Sequence, residues 1–297
     1  MRAWLNGVAM DGKLALDPAD RGLTLGDGIF ETVLVRDGRP IWLAEHLARM
    51  DAAATELGIA FPLDLFRSSP ITGEVASLRE PEGAFPRQNT PPASQGLGTL
   101  PSRGRDQHEV LRITLTRGPG HRGLAGDAGP PTLLVTTAPF NQALQFQPAR
   151  LVTATARRNE HSPASRLKTL SYMDNILAAR EAASQGADDA LMLNTLGHAA
   201  CATIGNIFAV TKNGIVTPPI AAGALPGIAR LQLLRNGTVR EAPLLPQDLI
   251  QAEALFITNS LRLVRPVSSL DGKAFASVGH HAVATAFKTL KSTIETC

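Results

Sequence analysis

The chain has 297 residues, of which 44% are hydrophobic and 19% charged, and its formal net charge is +3. These values are typical of a globular protein whose core is large enough for one or two domains. The sequence has no lysine-arginine run that would indicate nucleic-acid binding, and no apolar stretch long enough to span a membrane. The two cysteines, Cys201 and Cys297, are too few for a disulfide framework. This low cysteine content fits a reducing compartment and predicts a cytoplasmic protein.

The first predicted element is a hairpin at a sheet edge, with Asn6-Gly7 as its turn. Residues 17–22 predict a second turn. The sequence GDGIFETVLV, residues 26–35, places a glycine pair directly before a strand, and Asp37-Gly38 marks the turn after it. The N-terminal part is therefore expected to contain short strands joined by tight turns.

The sequence HLARMDAAATELGI predicts a helix that ends at Gly58. Its expected core face consists of Leu43, Leu47, Met50, Ala54 and Leu57. His46 and Arg49 lie three residues apart and therefore share one flank of the helix. Taken alone, Arg49 has the ordinary interpretation of a solvent-facing helix arginine.

Residues 68–107 are rich in proline, glycine, serine and arginine and show no helical period, which predicts a largely disordered surface insertion. Residues 111–117 and 133–137 predict strands. Between them lies a flexible basic loop, RGPGHRG, that contains Arg122. Residues 138–147 are expected to link two domains.

Lys168 precedes a predicted helix. Ser171 and Asp174 have the spacing of a capping box, and Gly186 suits the position just after a helix end. The apolar residues at helical period, which are expected to face the core, are Met173, Ile176 and Leu177. Lys168 is therefore predicted in a loop just before a capped helix.

A predicted pair of strands comes after this helix. Residues 190–193 predict a buried strand, residues 194–197 a turn, and residues 199–202 the returning strand. This sheet would hold Lys168 partly out of water.

The C-terminal part contains three further patterns. Asn213-Gly214 predicts a hairpin with a type I′ turn. The sequence LPGIAR opens a helix whose core face should include Leu231 and Leu234, and its free backbone N–H groups could hold a phosphate. Residues 254–267 predict a strand, a turn and a second strand.

Taken in order, these motifs resemble the fold-type IV pyridoxal-phosphate enzymes, which include branched-chain and D-amino-acid aminotransferases and aminodeoxychorismate lyase. The resemblance is carried by GDGIFET, by KTLSYMDN with the subsequent GHAACATIGNIF, by LPGIAR and by FITNSLRLVRPV, and it excludes only residues 68–107. It implies a two-domain α/β (α+β) fold and a homodimer. The small N-terminal domain would cover residues 1–137, and a larger β-rich domain residues 148–297.

The resemblance also implies the site. Lys168 would hold pyridoxal 5′-phosphate as a Schiff base and act as the base, and the phosphate would be bound by Arg49 and by the backbone at Ile228 and Ala229. The residues expected at the substrate are Phe30, Arg122, Asn259 and Ser260. No metal is predicted.

One position departs from the family pattern. Where relatives place a glutamate that keeps the pyridine nitrogen protonated, this chain has Cys201. A thiol would not hold that proton, which should harm amino transfer more than an elimination that ends in an aromatic ring. Together with Phe30 and the Asn259-Ser260 pair, this favours aminodeoxychorismate lyase, an enzyme of the folate pathway. The alternatives are an aminotransferase acting on D-amino acids or other small amines, and a degenerate, non-catalytic family member.

Overall fold

The computed structural model describes residues 2–11, 13–62 and 108–296. The predicted insertion at residues 68–107 therefore lies outside the described residues. The described strands form two sheets, one of six strands from the N-terminal part and one of nine strands from the C-terminal part. Helices pack against both, which confirms the mixed α/β fold class.

The N-terminal sheet is antiparallel throughout. Its strands are β1 (Arg2–Leu5), β2 (Val8–Met10), β3 (Gly28–Arg36), β4 (Arg39–Pro40), β5 (His108–Thr116) and β6 (Thr132–Pro139). They lie in the order β2-β1-β6-β5-β3-β4. The hairpin predicted at Asn6-Gly7 is confirmed, and both residues have the positive φ that a type I′ turn needs.

Within the described residues, two helices accompany this sheet, α1 (Arg21–Leu25) and α2 (Leu43–Leu57). The turn predicted at residues 17–22 is wrong at its end, because Asp20 accepts the Gly22 amide and starts α1 there. The core face predicted for α2 is confirmed: Leu43, Met50 and Ala54 are buried, while Leu47 and Leu57 are partly buried against the same cluster.

The C-terminal sheet is mixed. Its strands are β7 (Ala149–Thr153), β8 (Asp189–Leu193), β9 (Ala199–Ala202), β10 (Asn206–Thr211), β11 (Gly214–Thr217), β12 (Val239–Glu241), β13 (Ala254–Asn259), β14 (Leu263–Leu270) and β15 (Lys273–Ala274). The order is β12-β11-β10-β13-β14-β7-β8-β9, with β15 beside β14. Strand β7 runs parallel to β8 and β14, and β11 runs parallel to β12.

The helices of this part are α3 (Pro163–Arg166), α4 (Met173–Ser184), α5 (Ile228–Arg235), α6 (Pro246–Gln251) and α7 (His281–Glu295). One hydrophobic core joins the two sheets, since Leu34 and Trp42 pack in the same cluster as the stacked rings of Phe208 and Phe256. The division into domains at residues 137 and 148 stays a prediction.

The helix after Lys168 differs from its prediction in two ways. It begins at Met173, because the residues up to Leu170 are hydrogen-bonded to β3. The capping box predicted from Ser171 is absent: the N-cap residue is Tyr172, and its side chain makes no capping hydrogen bond. The predicted core stripe is also wrong. Met173, Ile176 and Leu177 are 62%, 41% and 50% exposed. The buried residues are the smaller Asn175, Ala178 and Ala182, which allow α4 to lie close to the sheet.

Two smaller predictions also need correction. The hairpin between β10 and β11 exists, but Asn213 has no positive φ, so the turn is not type I′, and Gly214 alone takes φ 103°. In α5 the fully buried leucine is Leu233, whereas the predicted Leu231 and Leu234 are of intermediate exposure. In the described part of the chain, no helix is long and apolar enough to cross a membrane.

Candidate active site

A cavity of about 410 Å³ is lined by residues of both sheets, a size typical of small-molecule sites. Eight of the nine site residues expected from the sequence line it: Phe30, Arg49, Lys168, Cys201, Ile228, Ala229, Asn259 and Ser260. The ninth, Arg122, lies on an exposed loop and is not part of the lining. The sequence motifs are therefore brought together in space, apart from the basic loop.

Lys168 lies in a loop before α4, as predicted, and hydrogen bonds tie this loop to β3. Its carbonyl accepts the Phe30 amide at 2.9 Å, and the Leu170 amide donates to the Gly28 carbonyl at 2.8 Å. The segment therefore pairs with the start of β3 like an extra strand. Gly28 permits this close approach, because a Cβ there would lie 2.9 Å from Leu170 Cδ1 and also 2.6 Å from the Leu115 carbonyl oxygen of β5.

The amine of Lys168 faces two aromatic rings. Its Nζ donates to the Tyr172 hydroxyl at 3.3 Å and lies 4.4 Å from the centre of the Phe30 ring. Among the described residues, no carboxylate lies within salt-bridge distance of this amine. An amine without an ion-pair partner, set beside apolar surface, is suited to covalent chemistry with a carbonyl group.

Arg49 is positioned by Glu31 of β3. Its Nε and Nη2 donate to the two carboxylate oxygens at 2.7 and 2.6 Å, and Nη1 donates to the Pro226 carbonyl at 2.7 Å. A guanidinium has five N–H groups, so two remain for an anion in the cavity. Arg49 therefore combines a fixed orientation with free donors, as bidentate phosphate recognition requires.

Glu31 is ionised although it is buried. Burial alone would raise the pKa of its carboxyl, but the charge of Arg49 and hydrogen bonds from His46 and Arg49 outweigh this and lower the pKa to about 2. Glu31 cancels much of the charge of Arg49.

The start of α5 also lines the cavity. Its N-cap, Gly227, provides no side-chain cap, so the amides at Ile228 and Ala229 have no partner within the helix. Gly227 is required here, because a methyl group would overlap Asn206 Oδ1. Asn206 in turn donates to the Leu225 carbonyl at 2.8 Å. These contacts fix the first amides of α5 at the cavity wall.

Cys201 lies on β9, opposite Met192 of β8, and is 5% exposed. Burial raises the pKa of its thiol, so the group stays protonated and neutral. Arg158 lines the same cavity and donates to Asn175 Oδ1 at 3.0 Å and to the Ser165 carbonyl at 2.6 Å, both neutral acceptors. Among the described lining residues there is no aspartate or glutamate.

Arg112 is a lining residue that the sequence prediction missed. It pairs with Thr32 across the sheet, and its guanidinium lies 3.9 Å from the centre of the Phe30 ring. Partial desolvation lowers its pKa, and among the described residues it has no carboxylate partner. The sequence signal that could have identified Arg112 is the alternation along β5, which points Leu111 and Ile113 into the core and Arg112 to the other face of the sheet.

Two predicted substrate residues lie at the end of β13, Asn259 as its last residue and Ser260 in the turn after it. Asn259 accepts the amides of Leu261 and Arg262 through Oδ1, at 3.1 and 2.8 Å, so its side chain shapes this turn. Ser260 lines the cavity beside it. The neighbouring Thr258 was missed, and its buried hydroxyl has no partner in the described part of the chain.

These residues fit pyridoxal 5′-phosphate. The amine of Lys168, which has no carboxylate partner among the described residues, can hold the aldehyde carbon, and the donors of Arg49 with the first amides of α5 can hold the phosphate. The buried hydroxyl of Thr258 offers one further polar contact within the same cavity.

Comparison with known proteins identifies the family of this chain. The family model for amino-transferase class IV matches residues 28–270. The "Putative branched-chain-amino-acid aminotransferase" of Methanocaldococcus jannaschii is 30% identical, over 92% of this chain and 89% of its own. The D-alanine aminotransferase of Bacillus licheniformis is 27% identical, over 93% and 91%. A crystal structure described as "Putative 4-amino-4-deoxychorismate lyase" from Legionella pneumophila has a TM-score of 0.77 and 29% identity, over 95% of this chain and 96% of that chain.

The matched region includes the strand of Phe30, the helix of Arg49, the segment of Lys168 and the start of α5. The enzymes of this family depend on pyridoxal 5′-phosphate. The chain therefore belongs to the class IV aminotransferase family and is a pyridoxal-phosphate-dependent enzyme.

Proposed function

We propose that this enzyme is an aminodeoxychorismate lyase, which releases pyruvate and leaves 4-aminobenzoate. The observation that supports this most is the charge of the cavity. Its described lining contains four cationic side chains, Arg49, Arg112, Arg158 and Lys168, and no carboxylate. Aminodeoxychorismate is an amine with two carboxylates, so it complements this lining better than a neutral side chain of an amino acid does.

Arg112 is the proposed anchor for a substrate carboxylate. Arg49 already has an anionic partner in Glu31, whereas Arg112 lies over the ring of Phe30 and has no salt bridge among the described residues. Its planar fork can bind a carboxylate through two hydrogen bonds. The amine of Lys168 lies over the same ring, so the reacting group and the anchor are neighbours.

Lys168 carries the proposed chemistry. Bound pyridoxal phosphate supplies the electron sink that accepts the electron pair of the broken C–H bond. Once the substrate's amine has displaced Lys168 from the aldehyde carbon, Nζ takes the proton from the ring carbon that bears that amine. The bond between the neighbouring ring carbon and the enolpyruvyl oxygen then breaks, the ring becomes aromatic, and protonation of the released enol gives pyruvate. Tyr172, 3.3 Å from Nζ, orients this amine.

Cys201 supports elimination over amino transfer. Its neutral thiol cannot hold a proton at the pyridine nitrogen as a carboxylate would. Amino transfer must return a proton to a different carbon, which requires the negative charge to be stabilised for longer. Formation of an aromatic ring drives the elimination, so this reaction depends less on a protonated pyridine nitrogen, which Cys201 does not provide.

An aminotransferase acting on D-amino acids is the second candidate. The similarity to the D-alanine aminotransferase of Bacillus licheniformis favours it. For that reaction Arg112 would bind the substrate's carboxylate, and Lys168 would move the proton between two carbons. The two candidates share every residue of the site and differ in the bond that breaks or forms after the proton is removed.

The test is to incubate the holoenzyme with aminodeoxychorismate and measure 4-aminobenzoate and pyruvate. In parallel, D-alanine or branched-chain amino acids are supplied with 2-oxoglutarate, and Lys168→Ala serves as the inactive control. The proposal predicts equimolar aromatic amine and pyruvate, with amino transfer much slower. Amino transfer without 4-aminobenzoate would support the second candidate. Inactivity in both assays would support a degenerate family member.

We also propose that the enzyme is a homodimer. Met173, Ile176 and Leu177 form an exposed apolar face on α4, and Ile176 also lines the cavity. Such a face at the edge of a site is typical of a protein interface. Light scattering should give twice the chain mass. Ile176→Glu should shift the enzyme to monomer, while a chain that is already a monomer would contradict the proposal.

A further inference from the structure

A buried histidine stands behind the phosphate arginine. His46 of α2 is 0% exposed, and its Nδ1 lies 2.7 Å from Glu31 Oε2. It is not among the residues that line the cavity. His46 therefore cannot touch substrate or cofactor and can act on them only through other side chains.

The protein loses stability by burying an imidazole at this position. In the described part of the chain, His46 Nε2 is buried and has no hydrogen-bond partner. An unpaired buried polar atom is unfavourable, whereas a leucine of similar size would leave none. What the imidazole provides, and leucine does not, is the contact from Nδ1 to Glu31.

The protonation state of His46 fixes the direction of that contact. Burial lowers the pKa of the imidazole; the bond to Glu31 opposes this shift, and the charges of Arg49 and Lys168 add to it. The ring is thus neutral and carries one proton. Because Glu31 is an ionised acceptor, that proton lies on Nδ1 and is donated to Oε2.

Glu31 then has three donors around it, one from His46 and two from Arg49. The guanidinium is rigid and planar, so holding Nε and Nη2 on Glu31 determines where the two unused N–H groups point. The Pro226 carbonyl holds Nη1 from the other side. Any rotation of the Glu31 carboxylate would turn Arg49 with it.

We propose that His46 and Glu31 are positioning residues for the cofactor phosphate. His46 fixes the carboxylate of Glu31, and Glu31 fixes the guanidinium of Arg49 so that its two remaining N–H groups meet the phosphate. This inference rests on the assignment of Arg49 to the phosphate, and not on the choice between lyase and aminotransferase.

The test compares apoenzyme affinity for pyridoxal 5′-phosphate with that for pyridoxal, which lacks the phosphate, by spectrophotometric titration. His46→Leu should weaken pyridoxal-phosphate binding about tenfold, or ~1.4 kcal/mol, and leave pyridoxal binding unchanged. His46→Asn keeps an N–H near the place of Nδ1 and should stay within about twofold of the parent protein. Arg49→Ala should remove most of the preference for the phosphorylated form.

The outcomes separate the possible roles. Equal losses for both ligands in His46→Leu, or no loss for either, would overturn the proposal and leave His46 a packing residue. If Arg49→Ala itself spares the preference for phosphate, the phosphate assignment fails instead. Should His46→Leu not fold, Glu31→Gln replaces it. Its amide has one acceptor oxygen for three donors, so the preference for phosphate must fall, and an unchanged preference would refute the inference.

Discussion

Replacement of Arg112 by methionine tests the proposed substrate anchor. Methionine keeps apolar contact with Phe30 but removes the charge and the fork of donors. A hydrogen bond to a charged group contributes about 1.5–3 kcal/mol. Because Arg112 is exposed at the cavity, the lower limit applies, which corresponds to about a tenfold loss in kcat/KM for aminodeoxychorismate.

The loss should appear mainly in KM, since the anchor binds substrate and transition state alike. Steady-state kinetics of 4-aminobenzoate release provide the assay, with Arg112→Lys retaining part of the affinity. Arg240→Met, an exposed arginine of β12 outside the cavity lining, is the matched control. A fall in kcat with an unchanged KM, or no change in either, would refute the reasoning for Arg112.

The remaining predictions concern Cys201, Glu31 and Gly227. Cys201→Glu should raise the rate of amino transfer proportionally more than that of 4-aminobenzoate formation, because a carboxylate can hold the proton on the pyridine nitrogen. Each unit by which the pKa of that nitrogen rises lowers the reaction barrier by at most ~1.4 kcal/mol. Parallel assays of the two reactions measure both rates. The pKa of Glu31 is lowered from 4.5 to about 2, so its contribution of ~3 kcal/mol is present above pH 4.5 and is lost as pH falls towards 2. Denaturant unfolding of the parent protein at pH 4.5 and at pH 2 should show this loss of unfolding free energy, whereas the Glu31→Gln variant should not show it. Gly227→Ala should weaken pyridoxal-phosphate affinity about tenfold, ~1.4 kcal/mol by titration, because the new methyl group displaces Asn206; Gly279→Ala, with open space around it, should not.

The sequence predicted best where local signals decide the structure. Paired turn residues located the hairpin at Asn6-Gly7, and helical period located the core face of α2 around Met50. Family motifs alone then identified eight residues that line one cavity. These features depend on short-range spacing, which a single sequence contains.

The features that the sequence could not predict depend on contacts between distant segments. The helix α4 contains one apolar stripe, through Met173, and one stripe of small residues, through Ala178. Helical periodicity in the sequence identifies both stripes. Only the close packing of α4 against β8 determines that the stripe of small residues is the buried one. The pairing of Lys168 with Phe30 is also long-range, and it ties down the predicted loop, whereas the predicted cap is absent.

Arg112 and His46 show the same limit at the level of the site. Each looks like an ordinary polar residue in its strand or helix. The role proposed for Arg112 depends on its place over Phe30, and the role proposed for His46 depends on its bond to Glu31, fifteen residues away. Charge balance inside a cavity is a property of the folded chain.

The central claim is that one cavity, built around Lys168, holds the cofactor covalently. Borohydride reduction of the holoenzyme and subsequent peptide mapping test it most directly. The label should be found on Lys168 alone, and Lys168→Ala should keep its fold but take up no label. A pyridoxyl group on another lysine, or full labelling of Lys168→Ala, would contradict the account.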